Sequence, residues 1–286
     1  ALGTRINQAT TSWDYSVLDP DTKIIQVDID PMEIGRNYPV SAGIVGDART
    51  VAMQLIEGIK REFPKGRSLP EWRMVFQDLR AARSNRLNSE AISMRRMPEQ
   101  PIMPHEVYPE LTRVLPKDCM VTIDAGVAAG LAYDRLSFEL PRTMFNYAGQ
   151  GALGMGYCVG LGTKLGRPDR PALSIQGDGG FLYTSGEINT AVRWNIPLVN
   201  IVLNNNCMGA EKAQQKRLHN ERYVGVDLTN PRFDKLAKLF GANGYYIENA
   251  EDIGEVVSEA LKLDKPSVIE IPVQEYFPEP AQLPKN

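Results

Sequence analysis

Apolar residues in this chain occur either in short continuous runs or at helical spacing, and past residue 100 the two kinds alternate. Before that point the pattern is thinner. Lys23–Asp28 (KIIQVD) reads as a buried strand, followed by the turn-former Asp30-Pro31 and a helical Met32-Glu33-Ile34. Ala42–Val45 is a second strand, and Val51, Leu55 and Ile59 mark one face of a helix from about residue 48 to 61. Two strands and two helices leave a parallel sheet without its other face and edges, so residues 1–61 are expected to be the C-terminal part of a Rossmann-like α/β domain. The chain has no initiator Met and starts on what would be the end of a strand, which predicts a segment upstream. Residues 62–100 read as a connector. Pro70 can open a helix there, Trp72, Val75, Phe76 and Leu79 give it one apolar stripe, and Arg80, Arg83, Arg86, Arg95 and Arg96 line the rest as a solvated surface.

Residues 101–286 are expected to form one domain. The predicted order is helix (106–114), strand (120–124), glycine-laced helix (149–165), strand (172–176), helix (185–194) and strand (198–203). A helix opened by Asn230-Pro231 and stopped by Gly241 follows, then strand (245–248), helix (253–263) and strand (267–271). Strand–helix–strand repetition with short links predicts an α/β fold, a doubly wound parallel sheet.

Composition narrows the function. A chain of 286 residues, 43% hydrophobic, can bury a full core and suits about two domains. A net charge of −3 spread along the chain gives no basic face for nucleic acid. No apolar run approaches ~20 residues, so no membrane span is expected. Ala1–Arg5 lacks the regions of a signal peptide. Cys119, Cys158 and Cys207 lie far apart, in odd number and without metal-ligand spacing, as expected of reduced thiols in a cytoplasmic protein. Two histidines, His105 and His219, argue against a His-based metal centre or a Ser-His-Asp triad.

The chemistry is carried by Gly177-Asp178-Gly179, then the 24 residues 180–203, which open with Gly180, then Asn204-Asn205. Asp178 follows one predicted strand and Asn204-Asn205 follow the next. Thr184-Ser185-Gly186-Glu187 is expected to make a capping box between them. A right-handed crossover brings the two strand ends together on the face where open parallel sheets bind ligands. A carboxylate and an amide oxygen then converge beside glycines whose N–H groups can approach closely. That set suits a diphosphate chelated through a divalent cation, since Mg²⁺ takes about six oxygens and often only one or two carboxylates.

These residues resemble the signature of thiamine-diphosphate (ThDP) enzymes. Ile25–Gly35 (IQVDIDPMEIG) with Ile44–Asp47 (IVGD) is similar to the central domain of the acetolactate-synthase-like group, and Pro101–Asn286 to its pyrophosphate domain. The resemblance implies ThDP and Mg²⁺ as cofactors. The metal would be held by Asp178, Asn205 and the backbone carbonyl of Cys207, and the cofactor also by Gly179, Gly180 and Gly209. Gly149–Gly156 (GQGALGMG) is similar to the segment that touches the pyrimidine ring. There Leu153 would prop ThDP into its bent form, and the Gly151 carbonyl would accept from the exocyclic amine. Val127 and Ala128 stand where the family often has Gln and His against the diphosphate, which shifts the load to backbone groups. Gly209-Ala210-Glu211-Lys212 resembles sulfoacetaldehyde acetyltransferases more than acetolactate synthases, so Glu211 and Lys212 are expected to read an anionic substrate or phosphate.

The family's catalytic Glu, which presses on pyrimidine N1′, lies in an N-terminal pyrimidine-binding domain. No residue here matches it, so the resemblance implies a partner segment or subunit and an oligomer, a dimer or tetramer of assembled units. The implied activity is that of a C–C lyase or carboligase, a transferase of the acetolactate synthase/sulfoacetaldehyde acetyltransferase type acting on a small 2-oxoacid or aldehyde donor. Two alternatives are the ThDP-binding subunit of a 2-oxoacid oxidoreductase and a catalytically silent regulatory homologue. FAD or an ADP-bearing ligand in the central domain is left open.

Overall fold

The computed structural model describes residues 1–7, 11, 15–93, 96–97, 99–146 and 151–277; Arg95 and Gly149-Gln150 of the sequence reading lie outside them. By its internal contacts the chain forms two units that part between Arg83 and Ser84.

In the first unit β1 (Ile25–Asp28) and β2 (Ala42–Val45) pair in parallel, with Val27 opposite Ile44. Leu2 makes a parallel bridge to Val27. The carboxylate of Asp47 accepts from the Thr50 amide at 2.8 Å and so caps α1 (Ala48–Glu62). Val27 and Val51 are buried, but Ile59 is 58% exposed, so the predicted apolar face of α1 is covered only at its first turn. α2 (Pro70–Ser93) starts at Pro70 as expected and spans the point where the units part. Trp72, Val75, Phe76 and Leu79 are all exposed on it, and the Trp72 and Phe76 rings lie 6.4 Å apart.

The second unit is built on six parallel strands: β3 (Met120–Ile123), β4 (Met144–Asn146), β5 (Ala172–Gly177), β6 (Val199–Asn204), β7 (Asn243–Tyr246) and β8 (Ser267–Pro272). Their spatial order is β4-β3-β5-β6-β8-β7. The chain therefore leaves β3 toward one edge and β5 toward the other. Crossovers of one hand that run in opposite directions put their helices on opposite faces, and the two cores show this. α3 (Val107–Val114), α4 (Val127–Gly130), α5 (Ala132–Arg135) and α11 (Asp252–Ala260) pack with Val121, Ile123, Leu173, Ile175, Ile201 and Ile269. α6 (Met155–Gly166), α7 (Asp178–Thr184), α8 (Ile188–Arg193) and α10 (Phe233–Phe240) cover the other face, around Tyr157, Phe181 and Phe233. β3, β5, β6 and β8 are buried on both faces, which is why they read as mainly apolar runs, whereas the edge strands β4 and β7 are more exposed. The doubly wound sheet is as the sequence predicts.

Three local expectations fail, and one strand is added. Gly151 and Gly154 take φ of +65° and +80°, which no α-helix accommodates, so Leu153 sits in a turn and α6 starts only at Met155. Thr184–Glu187 is not a capping box, because α7 already begins at Asp178. The Thr184 hydroxyl donates to the Gly154 carbonyl (3.2 Å), and Glu187 accepts from the Thr190 hydroxyl (2.6 Å). Asn230 does not cap α10. The first amides of that helix, from Phe233 and Asp234, bond to the buried carboxylate of Glu270 at 2.7 and 3.3 Å. β4 is a three-residue edge strand that the sequence reading lacked, too short for a periodic pattern.

Candidate cofactor and metal site

The opposite departures from β3 and β5 make a topological switch point, and a crevice opens at the carboxyl ends of these strands. A cavity of about 230 Å³ lies there. Its walls are the loop after β3 (Ala125, Gly126), the turn with Gly151 and Leu153, the segment Gly177–Gly180 after β5, and Asn205 and Cys207–Glu211 after β6. β5 and β6 are neighbours, with Gly177 opposite Leu203, so both halves of the sequence motif meet side by side.

Ten of the residues singled out from sequence are sorted by this cavity. Gly151, Leu153, Asp178, Gly179, Gly180, Asn205, Cys207, Gly209 and Glu211 line it. Lys212 does not line it. One residue further around α9 (Gly209–Leu218), its ammonium bonds to Asp227 (2.7 Å) and Glu275 (2.5 Å) and lies 5.3 Å from the Tyr223 ring centroid. Those two carboxylates raise its pKa, the Asp227 bond first. Lys212 thus ties α9 to the segment that braces the loop after β6, where Met208 N donates to the Val226 carbonyl (2.7 Å) and Leu228 N to the Asn206 carbonyl (2.8 Å).

Close packing sets the shape of the floor. A Cβ on Gly179 would stand 2.5 Å from Met208 Sδ, and one on Gly180 would stand 2.3 Å from Asp124 Oδ2. Asp124 is buried at the end of β3 and accepts from the Gly154 amide (2.9 Å) and the Gly156 amide (3.3 Å). With the Thr184 bond to the Gly154 carbonyl, this braces the turn that presents Leu153. The sequence reading passed over Asp124, whose only signal was its place at a strand end.

The lining holds Asp178 and Glu211 as its carboxylates and, among the described residues, no Lys, Arg or His. What it offers an anion is backbone. α4, α7 and α9 all open on the cavity at their N-terminal ends, none with a side-chain cap. Asp178 is 2% exposed. Burial raises its pKa, against the lowering effect of the bond it accepts from Asn230 Nδ2 (2.6 Å) and of nearby amides, including that of Asn205. The amide oxygen of Asn205 accepts from Cys207 N at 3.2 Å. No backbone or side-chain group among the described residues donates to the Cys207 carbonyl. The Cys207 thiol is pushed up to about 12 by burial and plays no acid–base part. No cluster of three His, Cys, Asp or Glu side chains that could hold a metal ion exists among the described residues.

Residues 124–271 match the family model for the C-terminal TPP binding domain of thiamine pyrophosphate enzymes. The chain belongs to the thiamine pyrophosphate (ThDP) enzyme family. Residues 1–55 match the family's central domain. The chain is similar to the acetolactate synthase of Mycobacterium avium, 30% identical over 94% of this chain and 43% of that protein. It is similar to the sulfoacetaldehyde acetyltransferase of Castellaniella defragrans, 30% identical over 95% and 48%. To the probable acetolactate synthase large subunit of Methanococcus aeolicus it is 27% identical over 96% and 46%. The chain spans about half the length of these curated relatives. No helix among its described residues is long and apolar enough to cross a membrane.

Asp124 and Asp178 share a linkage to pH. Burial raises both pKa values above 3.8, so each contributes most to stability below that pH and loses the contribution as pH rises through its folded value. In cation-free protein, the urea midpoint of Asp124→Asn relative to wild type is expected to rise between about pH 4 and neutrality, because only the wild type loses this contribution. A difference that stays flat or falls across this window would contradict the assigned burial cost.

Proposed function

We propose that this chain supplies the diphosphate and Mg²⁺ site of a ThDP-dependent C–C lyase or carboligase, a transferase of the acetolactate synthase/sulfoacetaldehyde acetyltransferase type acting on a 2-oxoacid or aldehyde donor. The observation that carries the proposal is the charge of the cavity. A diphosphate brought beside Asp178 with no basic side chain to meet it would be repelled unless a divalent cation lay between them. Asp178, the Asn205 amide oxygen and the Cys207 carbonyl would hold that cation. Diphosphate oxygens and water would complete the octahedron that Mg²⁺ requires. Backbone amides at Gly179, Gly180 and Gly209 would take the remaining phosphate oxygens.

Bound ThDP would supply an electron sink for the carbonyl carbon of the donor. The protein's own part is placement. Leu153, on a turn braced from both sides, would support the bent cofactor, with the Gly151 carbonyl turned to its amine. Glu211 lies exposed in the first turn of α9 at the cavity wall, which supports the reading that it would meet substrate. Its negative charge disfavours an anionic group at that spot, so the donor or acceptor end there would be neutral or a hydrogen-bond donor. The acid that faces pyrimidine N1′ would come from outside residues 1–286, from a pyrimidine-binding domain or partner subunit in an oligomer.

Asp178→Ala and Asn205→Ala are expected to abolish Mg²⁺-dependent ThDP binding in the intact protein, because each removes one of three protein ligands. Calorimetric titration with unchanged ThDP affinity in either variant refutes the site. Leu153→Ala is expected to lower turnover more than stability. A core Leu→Ala change costs ~2–5 kcal/mol, and a side chain on a cavity wall costs less. A large drop in melting temperature with full residual turnover would make Leu153 a packing residue only. The polypeptide 1–286 alone, saturated with ThDP and Mg²⁺, is expected to show no steady turnover of 2-oxoacids. Rates of roughly 1 s⁻¹ or more would place the N1′ acid within it.

A further inference from the structure

Asn230 has no part in the reading above, and its hydrogen bonding is unusual. Its Nδ2 carries two hydrogens but faces three oxygens: Asp178 Oδ2 at 2.6 Å, Asn204 Oδ1 at 2.8 Å and Asn206 Oδ1 at 3.2 Å. Its own Oδ1 is buried and finds no donor among the described residues. Turning the amide over would set that oxygen against three others, one of them a carboxylate. The orientation is thus dictated by the acceptors, even at the cost of a buried oxygen without a partner.

The bonds continue inward. Asn204 Nδ2 donates to Glu270 Oε1 at 2.8 Å. Glu270, on β8, is 1% exposed, and its other oxygen accepts from the amides of Phe233 and Asp234. Held this way the carboxylate can only accept, so Asn204 must turn its NH₂ toward it and its oxygen toward Asn230. Asn230 must then donate, to Asn204 and to Asp178. β5, β6 and β8 lie side by side, so this chain of bonds crosses three strands and ends on one oxygen of Asp178.

We infer that Asn230 is a positioning residue of the cation site, donating to Oδ2 of Asp178 so that the carboxylate rotamer is fixed for the cation, with the direction of donation set by buried Glu270. The inference rests on the reading of Asp178 as a metal ligand. Hydrogen-bond partners of metal-ligating side chains matter because they hold the ligand in the geometry that the ion demands. Mg²⁺ demands near-octahedral geometry, whereas Ca²⁺ accepts six to eight oxygens in variable arrangement. Loss of the brace should therefore penalise Mg²⁺ more than Ca²⁺. A residue that merely supports the fold would change the two together or not at all.

The test displaces Mn²⁺ from the intact protein with Mg²⁺ or Ca²⁺ at saturating ThDP, following free Mn²⁺ by its electron paramagnetic resonance. Asn230→Ala is expected to weaken Mg²⁺ roughly 10–100-fold and Ca²⁺ clearly less, so the Mg²⁺/Ca²⁺ affinity ratio falls. Asn230→Ser, which keeps a shorter donor, is expected to lie between. It decides the question by the same ratio if the alanine variant does not fold. Asp178→Ala is run in parallel. If it abolishes Mg²⁺ binding while the Asn230 variants keep wild-type affinity, or lose both cations equally, the positioning role is overturned and the site stands. If Asp178→Ala leaves Mg²⁺ affinity unchanged, the site reading itself is overturned.

Discussion

A carboxylate kept out of water without a basic partner in its cleft is the constraint from which the rest of this site follows. Asp178 is buried at a strand end where the nearest help comes from amides and from one asparagine. Desolvation disfavours its charge, and only hydrogen bonds or a cation offset that cost. The walls accordingly present N–H groups from three helix ends instead of guanidinium or ammonium groups. Lysine in this region, at position 212, is spent on Asp227 and Glu275 outside the cavity.

Backbone recognition requires close approach, and the glycines record it. Gly179 leaves room for Met208, and Gly180 for Asp124. Asp124 in turn holds the amides of Gly154 and Gly156, so the loops after β3 and β5 and the turn before α6 are fixed against one another. Replacing a side-chain clamp by main-chain donors transfers precision to the loops that carry them. Those loops are short and start directly from strands buried on both faces.

The sheet was readable in the sequence because strands buried on both sides leave mainly apolar runs, as in Val199–Leu203, where Asn200 is the one polar residue. The motif was readable because its residues lie at fixed distances from two such runs. Contacts between segments far apart in sequence were not. Asn-Pro before an apolar helix is an ordinary cap signal, and nothing local reveals that Glu270, 36 residues beyond Asp234, caps α10 and frees Asn230 for Asp178. Lys212 was expected at the substrate, with Glu211, because Gly209–Lys212 resembles the sulfoacetaldehyde acetyltransferase segment. One helical step turns a side chain by about 100°, and only the positions of Asp227 and Glu275 show where that step leads. Thr184–Glu187 had the letters of a capping box but fell inside a helical path already begun by Asp178.

Cys207 lines the cavity, where in the proposed site it would offer its carbonyl, while its thiol is buried and pushed up to about 12 by that burial. A ligand supplied by the main chain leaves no mark in the identity of its residue. Any side chain that fits the small space behind the loop preserves the same oxygen, so chemical labels aimed at sulfur would report on packing at this position and not on chelation. What position 207 contributes is a path of the backbone, fixed by the bridge to Asp227. The residues that keep this oxygen in place are therefore to be sought in the segment 226–228, on the far side of the loop from the cavity.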